Sequence, residues 1–172
     1  RTQKDVALSY IACGIAVFPC REQDEVSNEY DKDTGEIIVY KAKTPRLSNG
    51  FKGASKNLRI TDILWTRNPG SMIGSPTGEQ MGAWVLDVDV HKNDSGQVIN
   101  GYEALAALEA KYGDLPATAT AKTAGGGEHR YFKHGPGVRN SGKLGRGLDV
   151  RGSGGFVVLP GSVTADGKEY VW

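Results

Sequence analysis

The segment Ala-Trp-Val-Leu-Asp-Val-Asp-Val at positions 83–90 places two acids inside the most strand-like run of the chain. Its apolar, β-branched composition predicts a strand. Alternation then puts Asp87 and Asp89 on one face and Leu86, Val88 and Val90 on the other. Two like charges at that spacing repel, and a core cannot hold them unpaired. Either they stand in water on the open face of an edge strand, or a divalent cation lies between them. Paired carboxylates holding Mg²⁺ or Mn²⁺ against a triphosphate are the standard arrangement for nucleotidyl transfer. An EF-hand loop needs Gly at its sixth position, where this chain has Lys92. A phosphatase-type DxDx(T/V) strand is not matched, because His91 stands two after the second Asp. A short DxD motif that binds a sugar nucleotide stays open.

Two further sites follow. Gly125-Gly126-Gly127-Glu128-His129 joins three glycines to a histidine at the start of a strand. Such glycines let backbone N–H groups, that of Gly127 among them, approach a ligand closely. His129 is either a phosphate donor or a structural histidine in a partly buried turn. In Gly147-Leu148-Asp149-Val150-Arg151-Gly152, Asp149 supplies a third carboxylate from a short strand. Arg151 shares its face, either as a salt-bridge partner or as a phosphate contact. The segment Gly137 to Lys143 fits GxxxxGK, but Leu144 follows in place of Ser or Thr and no apolar strand precedes it, so it is not a P-loop.

The net charge is +1, yet Lys122 to Arg151 holds seven Lys or Arg against Glu128 and Asp149. That region is either a phosphate-holding surface or a solvated basic face. Cys13 and Cys20 form no CxxC pair, which excludes a zinc ribbon and suits free thiols in a reducing cytoplasm. No apolar run spans a membrane and no signal peptide is present, so no membrane partner is expected. The chain begins at Arg1 and ends at Trp172 in a strand-like stretch, which is read as a piece of a longer replication protein.

Along the chain, helices are expected over 4–13, from a Thr61 cap to Asn68-Pro69, and from Asn100-Gly101 to Tyr112, the last with Asn100 and Glu103 as a capping box. Strands are expected at 15–18, 71–74, 83–90, 117–123, 128–133, 148–151 and 156–159. The polar stretch 21–44, with a turn at Asp33-Thr34-Gly35, reads as a surface hairpin insertion without chemistry. The class is α+β with a mixed, mostly antiparallel sheet, in a single catalytic domain over residues 1–172.

In this order the three sites resemble the archaeo-eukaryotic primase superfamily, and most of all the N-terminal domains of bifunctional primase/polymerases from phages, plasmids and other mobile elements. The resemblance rests on Asp87 and Asp89, then Gly126-Gly127-Glu128-His129, then Asp149-Val150-Arg151-Gly152. The flanks are similar too: Lys43-Thr44-Pro45 to an early K-x-P, Gly113 to Thr118 to G-x-L-P-x-T, and Gly154 to Pro160 to a closing strand. Gly125 departs from the family's frequent Ser.

The resemblance implies an RNA-recognition-motif-like catalytic core with an N-terminal αβ module. It implies a template-directed DNA primase/polymerase acting on single-stranded template, primer and NTP or dNTP, in the cytoplasm of a bacterial or archaeal host, with a helicase domain further along the full-length protein. Asp87, Asp89 and Asp149 would hold two Mg²⁺ or Mn²⁺ ions, one acting on the attacking 3′-hydroxyl and one on the leaving pyrophosphate. His129 would contact the incoming triphosphate, with Arg151, Lys122 and Gly127 as further nucleotide contacts. The glycine turn at Gly74 to Gly78 would border sugar or base. Two rival readings use the same residues: a metal-dependent phosphohydrolase or nuclease, and a non-catalytic origin-binding module.

Overall fold

Thr2 caps the first helix, α1 (Gln3–Ala12), in a reciprocal box with Asp5. The computed structural model describes residues 1–172 and shows an α+β protein. After α1 the chain enters β1 (Phe18–Cys20), then a hairpin of β2 (Glu25–Tyr30) and β3 (Ile37–Tyr40). A single 3₁₀ turn (Gly50–Gly53) leads to α2 (Leu58–Arg67) and β4 (Met72–Pro76). Then come β5 (Ala83–Val88), β6 (Val90–Lys92), β7 (Val98–Asn100) and α3 (Gly101–Tyr112). The last elements are β8 (Ala119–Lys122), β9 (Glu128–Lys133), β10 (Ser141–Gly145), β11 (Leu148–Arg151) and β12 (Phe156–Val158).

The strands form two main sheets, ordered β10-β11-β5-β9-β8 and β1-β4-β12. Every pairing in both is antiparallel, as the mixed or antiparallel sheet expected from sequence allows. Taken without β10, the larger sheet runs fourth, first, third, second in chain order, the order of an RNA-recognition-motif sheet. Between β9 and β11 the chain forms β10 rather than a second helix.

The two faces of the larger sheet are covered differently. Gly101, Ala104, Leu105 and Leu108 recur at helical spacing on α3, and Leu105 packs with Leu86, Val88 and Leu148. On the opposite face Val85 joins Val6, Ala7, Val17, Trp65, Ile73 and Val157, where α1 and α2 meet the smaller sheet. Trp65 is fully buried there, and its indole N–H donates to the Ser71 carbonyl at 2.9 Å. A further cluster of Phe18, Cys20, Met72, Val158 and Tyr170 fills the other side of β4.

Several boundaries differ from the sequence reading. The strand expected at 15–18 lies at Phe18–Cys20, with Pro19 inside it. Proline is tolerated because β1 is an edge strand, and the Pro19 carbonyl accepts from the Arg46 N–H instead. Asn57, not Thr61, caps α2: its side chain accepts from the Ile60 N–H at 3.1 Å, and Thr61 is buried within the helix. At α3, Asn100 caps the Tyr102 N–H, while Glu103 receives the Asn100 amide rather than a backbone donor, so the box is half formed. β10 was not expected, since its Gly and Lys content carries no strand pattern.

The two thiols are separated by burial. Cys13 is exposed, whereas the apolar cluster around Cys20 pushes its thiol up to about 12. Native protein at pH 8 should therefore take up one equivalent of a thiol reagent, at Cys13, and two after denaturation. Peptide mapping of the labelled site checks this.

Candidate active site

Strand register assembles the site. Asp149 on β11 sits directly opposite Asp87 on β5, and Asp87 directly opposite His129 on β9. Three neighbouring strands thus present two carboxylates and an imidazole in one row. The row lies on the face that, two residues earlier at Val85, belongs to the core. β5 ends at Val88, so Asp89 follows on the same face just past the strand, where its backbone pairs with Gly147 and Gly101.

The Arg151 guanidinium lies across the row. Its Nε and Nη2 donate to Asp87 Oδ2, each at 3.2 Å, and Nη2 donates to Asp149 Oδ2 at 2.5 Å. On the other side His129 Nε2 approaches Asp87 Oδ1 to 3.4 Å, without hydrogen-bond alignment. Asp87 is 7% exposed and His129 5%. Burial by itself raises the Asp87 pKa, but His129 and Arg151 outweigh it and hold the carboxyl below the usual carboxylate range. Asp89 moves the other way, pushed up by burial and then by the negative charge of Asp87.

Asp87, Asp89, His129 and Arg151 line a cavity of about 350 Å³, together with Lys43 and Tyr170. Asp149 reaches it only through Arg151. Lys122 and Gly127, expected as nucleotide contacts, do not line it. Lys122 pairs with Glu128, one position off the row that joins Ala121 to His129, so it faces the other side of the sheet. A Cβ on Gly127 would lie 2.0 Å from the Val88 carbonyl oxygen. Its glycine is thus required by the close passage of the β8–β9 turn over the end of β5. The N–H groups of Gly126 and Gly127 are already donated to Thr123, so this turn offers them to no ligand. The turn at Gly74 to Gly78 likewise packs on protein, against Phe18 and Ser153, and does not border the cavity. Sequence reasoning assigned no role to Lys43, Thr123 or Tyr170, all of which line the cavity. For Lys43 a signal existed in Lys43-Thr44-Pro45.

The donor set suits a hard divalent cation. Asp87 Oδ1 is buried without a hydrogen bond, and an unsatisfied carboxylate oxygen there invites a positive partner. Asp89 adds a second carboxylate free of any ion pair. As the side chains stand, no three acidic, imidazole or thiol groups converge on one point, because Arg151 lies between Asp87 and Asp149.

The antiparallel core and the αβ module that braces it are compatible with an α+β primase–polymerase fold. The family model for the bifunctional DNA primase/polymerase N-terminal domain matches residues 7–172, and the chain belongs to that family. No match is found among curated proteins.

The glycine turn supplies a test of its structural role. Gly127→Ala should lose about 3 kcal/mol of stability or more, because the obstacle is backbone and cannot rotate away. Gly125→Ala, whose Cβ would meet nothing nearer than 3.9 Å, should be close to neutral in urea denaturation.

Proposed function

We propose that this chain is the catalytic domain of a template-directed nucleotidyltransferase that extends or synthesises primers on single-stranded DNA from NTP or dNTP. The observation that carries the reading is the register row of Asp149, Asp87 and His129 beside a cavity that also receives Asp89 and Arg151. Family membership agrees with it.

Asp87, Asp89 and Asp149 would hold Mg²⁺ or Mn²⁺, since all their donors are hard oxygens. Such cations would promote loss of the 3′-hydroxyl proton and neutralise the departing pyrophosphate. Within the chain, His129 lies on β9 opposite Asp87 of β5, with Tyr170 at 6.0 Å between ring centroids. Its buried Nδ1 has no hydrogen-bond partner within the protein. Arg151 at present neutralises both carboxylates and competes with any cation for the same Oδ2 atoms. Its guanidinium lines the cavity, and charge-assisted pairing with a phosphate would release both carboxylates to a cation.

Primer extension on a defined single-stranded template with Mn²⁺ and labelled nucleotides tests the reading. Wild-type protein should add only the nucleotide complementary to the template. Asp87→Asn should lower the rate by about 10²-fold or more, on the scale of other charge-stabilising groups, while keeping a cooperative thermal transition. Release of phosphate or strand cleavage without dependence on the template base would favour a phosphohydrolase or nuclease. DNA binding without any product, unchanged in Asp87→Asn, would favour an origin-binding module.

A further inference from the structure

Lys43 is the one non-glycine residue of the chain with a left-handed backbone, at φ 67°. That conformation is uncommon for a residue with a Cβ and persists only where surroundings impose it. Here the base of the β2–β3 hairpin imposes it. The Lys43 N–H donates to the Arg21 carbonyl at 2.8 Å, and the Arg21 N–H donates to the Thr44 carbonyl at 2.9 Å. The Arg21 guanidinium donates to the Pro45 carbonyl at 2.5 Å and to Glu25 at 3.2 Å. Arg46 donates to Glu22 at 2.8 Å and to both oxygens of Glu25. Asp24 closes the loop by accepting from the Ala42 N–H at 2.8 Å. These ion pairs are largely buried, with Arg21 12% and Arg46 16% exposed at the side chain, so the loop carrying Lys43 is anchored rather than loose.

The anchored loop points its lysine at the cavity. Lys43, His129 and Arg151 are the cationic or potentially cationic residues lining it. Arg151 is engaged by two carboxylates and His129 lies against Asp87. Lys43 makes no ion pair, and it lines the same cavity as Asp89. An unpaired ammonium on a rigid, strained loop opposite an acidic row has the placement of an anion clamp.

Resting on the nucleotidyltransferase reading, we infer that Lys43 is the cation that grips the polyphosphate tail of the incoming nucleotide, and that the hairpin base is the device that sets it there. The surface insertion then has a stake in the site that its sequence did not suggest.

Direct binding tests this apart from turnover. Titration of a fluorescent deoxynucleoside triphosphate in Ca²⁺, with inorganic tripolyphosphate and the matching monophosphate as competitors, is compared for wild type, Lys43→Ala and Lys43→Gly. Wild type should prefer the triphosphate and tripolyphosphate over the monophosphate. Both variants should lose roughly 10-fold to 100-fold in triphosphate and tripolyphosphate affinity, with monophosphate affinity little changed. Lys43→Gly removes the left-handed strain, so its thermal midpoint should equal or exceed that of wild type, which separates lost binding from lost folding. Unchanged polyphosphate affinity in Lys43→Gly overturns the inference. So does a loss confined to single-stranded DNA affinity, which would assign the lysine to the template backbone. A wild type that binds triphosphate with this Lys43 dependence but adds no nucleotide would sink the nucleotidyltransferase reading and leave the clamp standing.

Discussion

Asp87 and Asp149 oppose each other directly across two neighbouring strands, and Arg151 makes that pairing tolerable. Like charges so placed repel by about 3 kcal/mol at an effective dielectric near 20 and a separation near 5 Å. One guanidinium, always charged and able to donate in a fork, answers both carboxylates at once. Arg151 is on β11 itself, two residues beyond Asp149, so the compensating charge arrives with the strand that creates the conflict. Removal of either acid or the arginine would leave the remainder of a half-buried cluster unbalanced. The arrangement is thus a unit, and its strain is concentrated where a cation has most to gain.

The same logic runs along β5. Its odd-numbered face passes from Val85, fully buried in the main core, to Asp87 at the wall of the cavity and Asp89 beyond the strand's end. Its even-numbered face stays apolar against α3. One strand therefore anchors the sheet with one end and arms the cleft with the other. Beyond Val85 the odd face borders a cavity walled by Lys43, Phe156 and Tyr170 rather than the apolar core around α1 and α2.

Much of this was legible in the chain, for identifiable reasons. The acidic strand and its facing followed from period-two alternation, and the α+β class from the order of patterns. The closeness of Asp149 to Asp87 did not follow from spacing, because register across a sheet is set by contacts between distant segments. The Asn57 cap was overlooked in favour of Thr61, since both are capping residues and only packing shows which one the helix buries. β10 escaped because pairing with β11, not its own composition, makes it a strand. The closeness of Gly127 to the Val88 carbonyl is a backbone encounter that no local pattern encodes. Lys43 lies in a stretch that reads as a plain surface hairpin, and only the Lys43-Thr44-Pro45 pattern marks it.

The smaller sheet is stitched from both halves of the chain. β4 lies between β1, from the first twenty residues, and β12, at residues 156–158, while Gln3 donates to the Gly161 carbonyl and Lys122 pairs with Val171. During synthesis β4 must wait, one edge bare, through the translation of some eighty further residues. Its apolar side chains are available to any nascent-chain partner for that interval. The cavity wall formed by Phe156 and Tyr170 likewise comes from segments that follow β11. The cleft therefore takes shape only once β12 and the segment through Tyr170 have joined β4, and a chain cut before Phe156 would keep the larger sheet without this wall of the pocket.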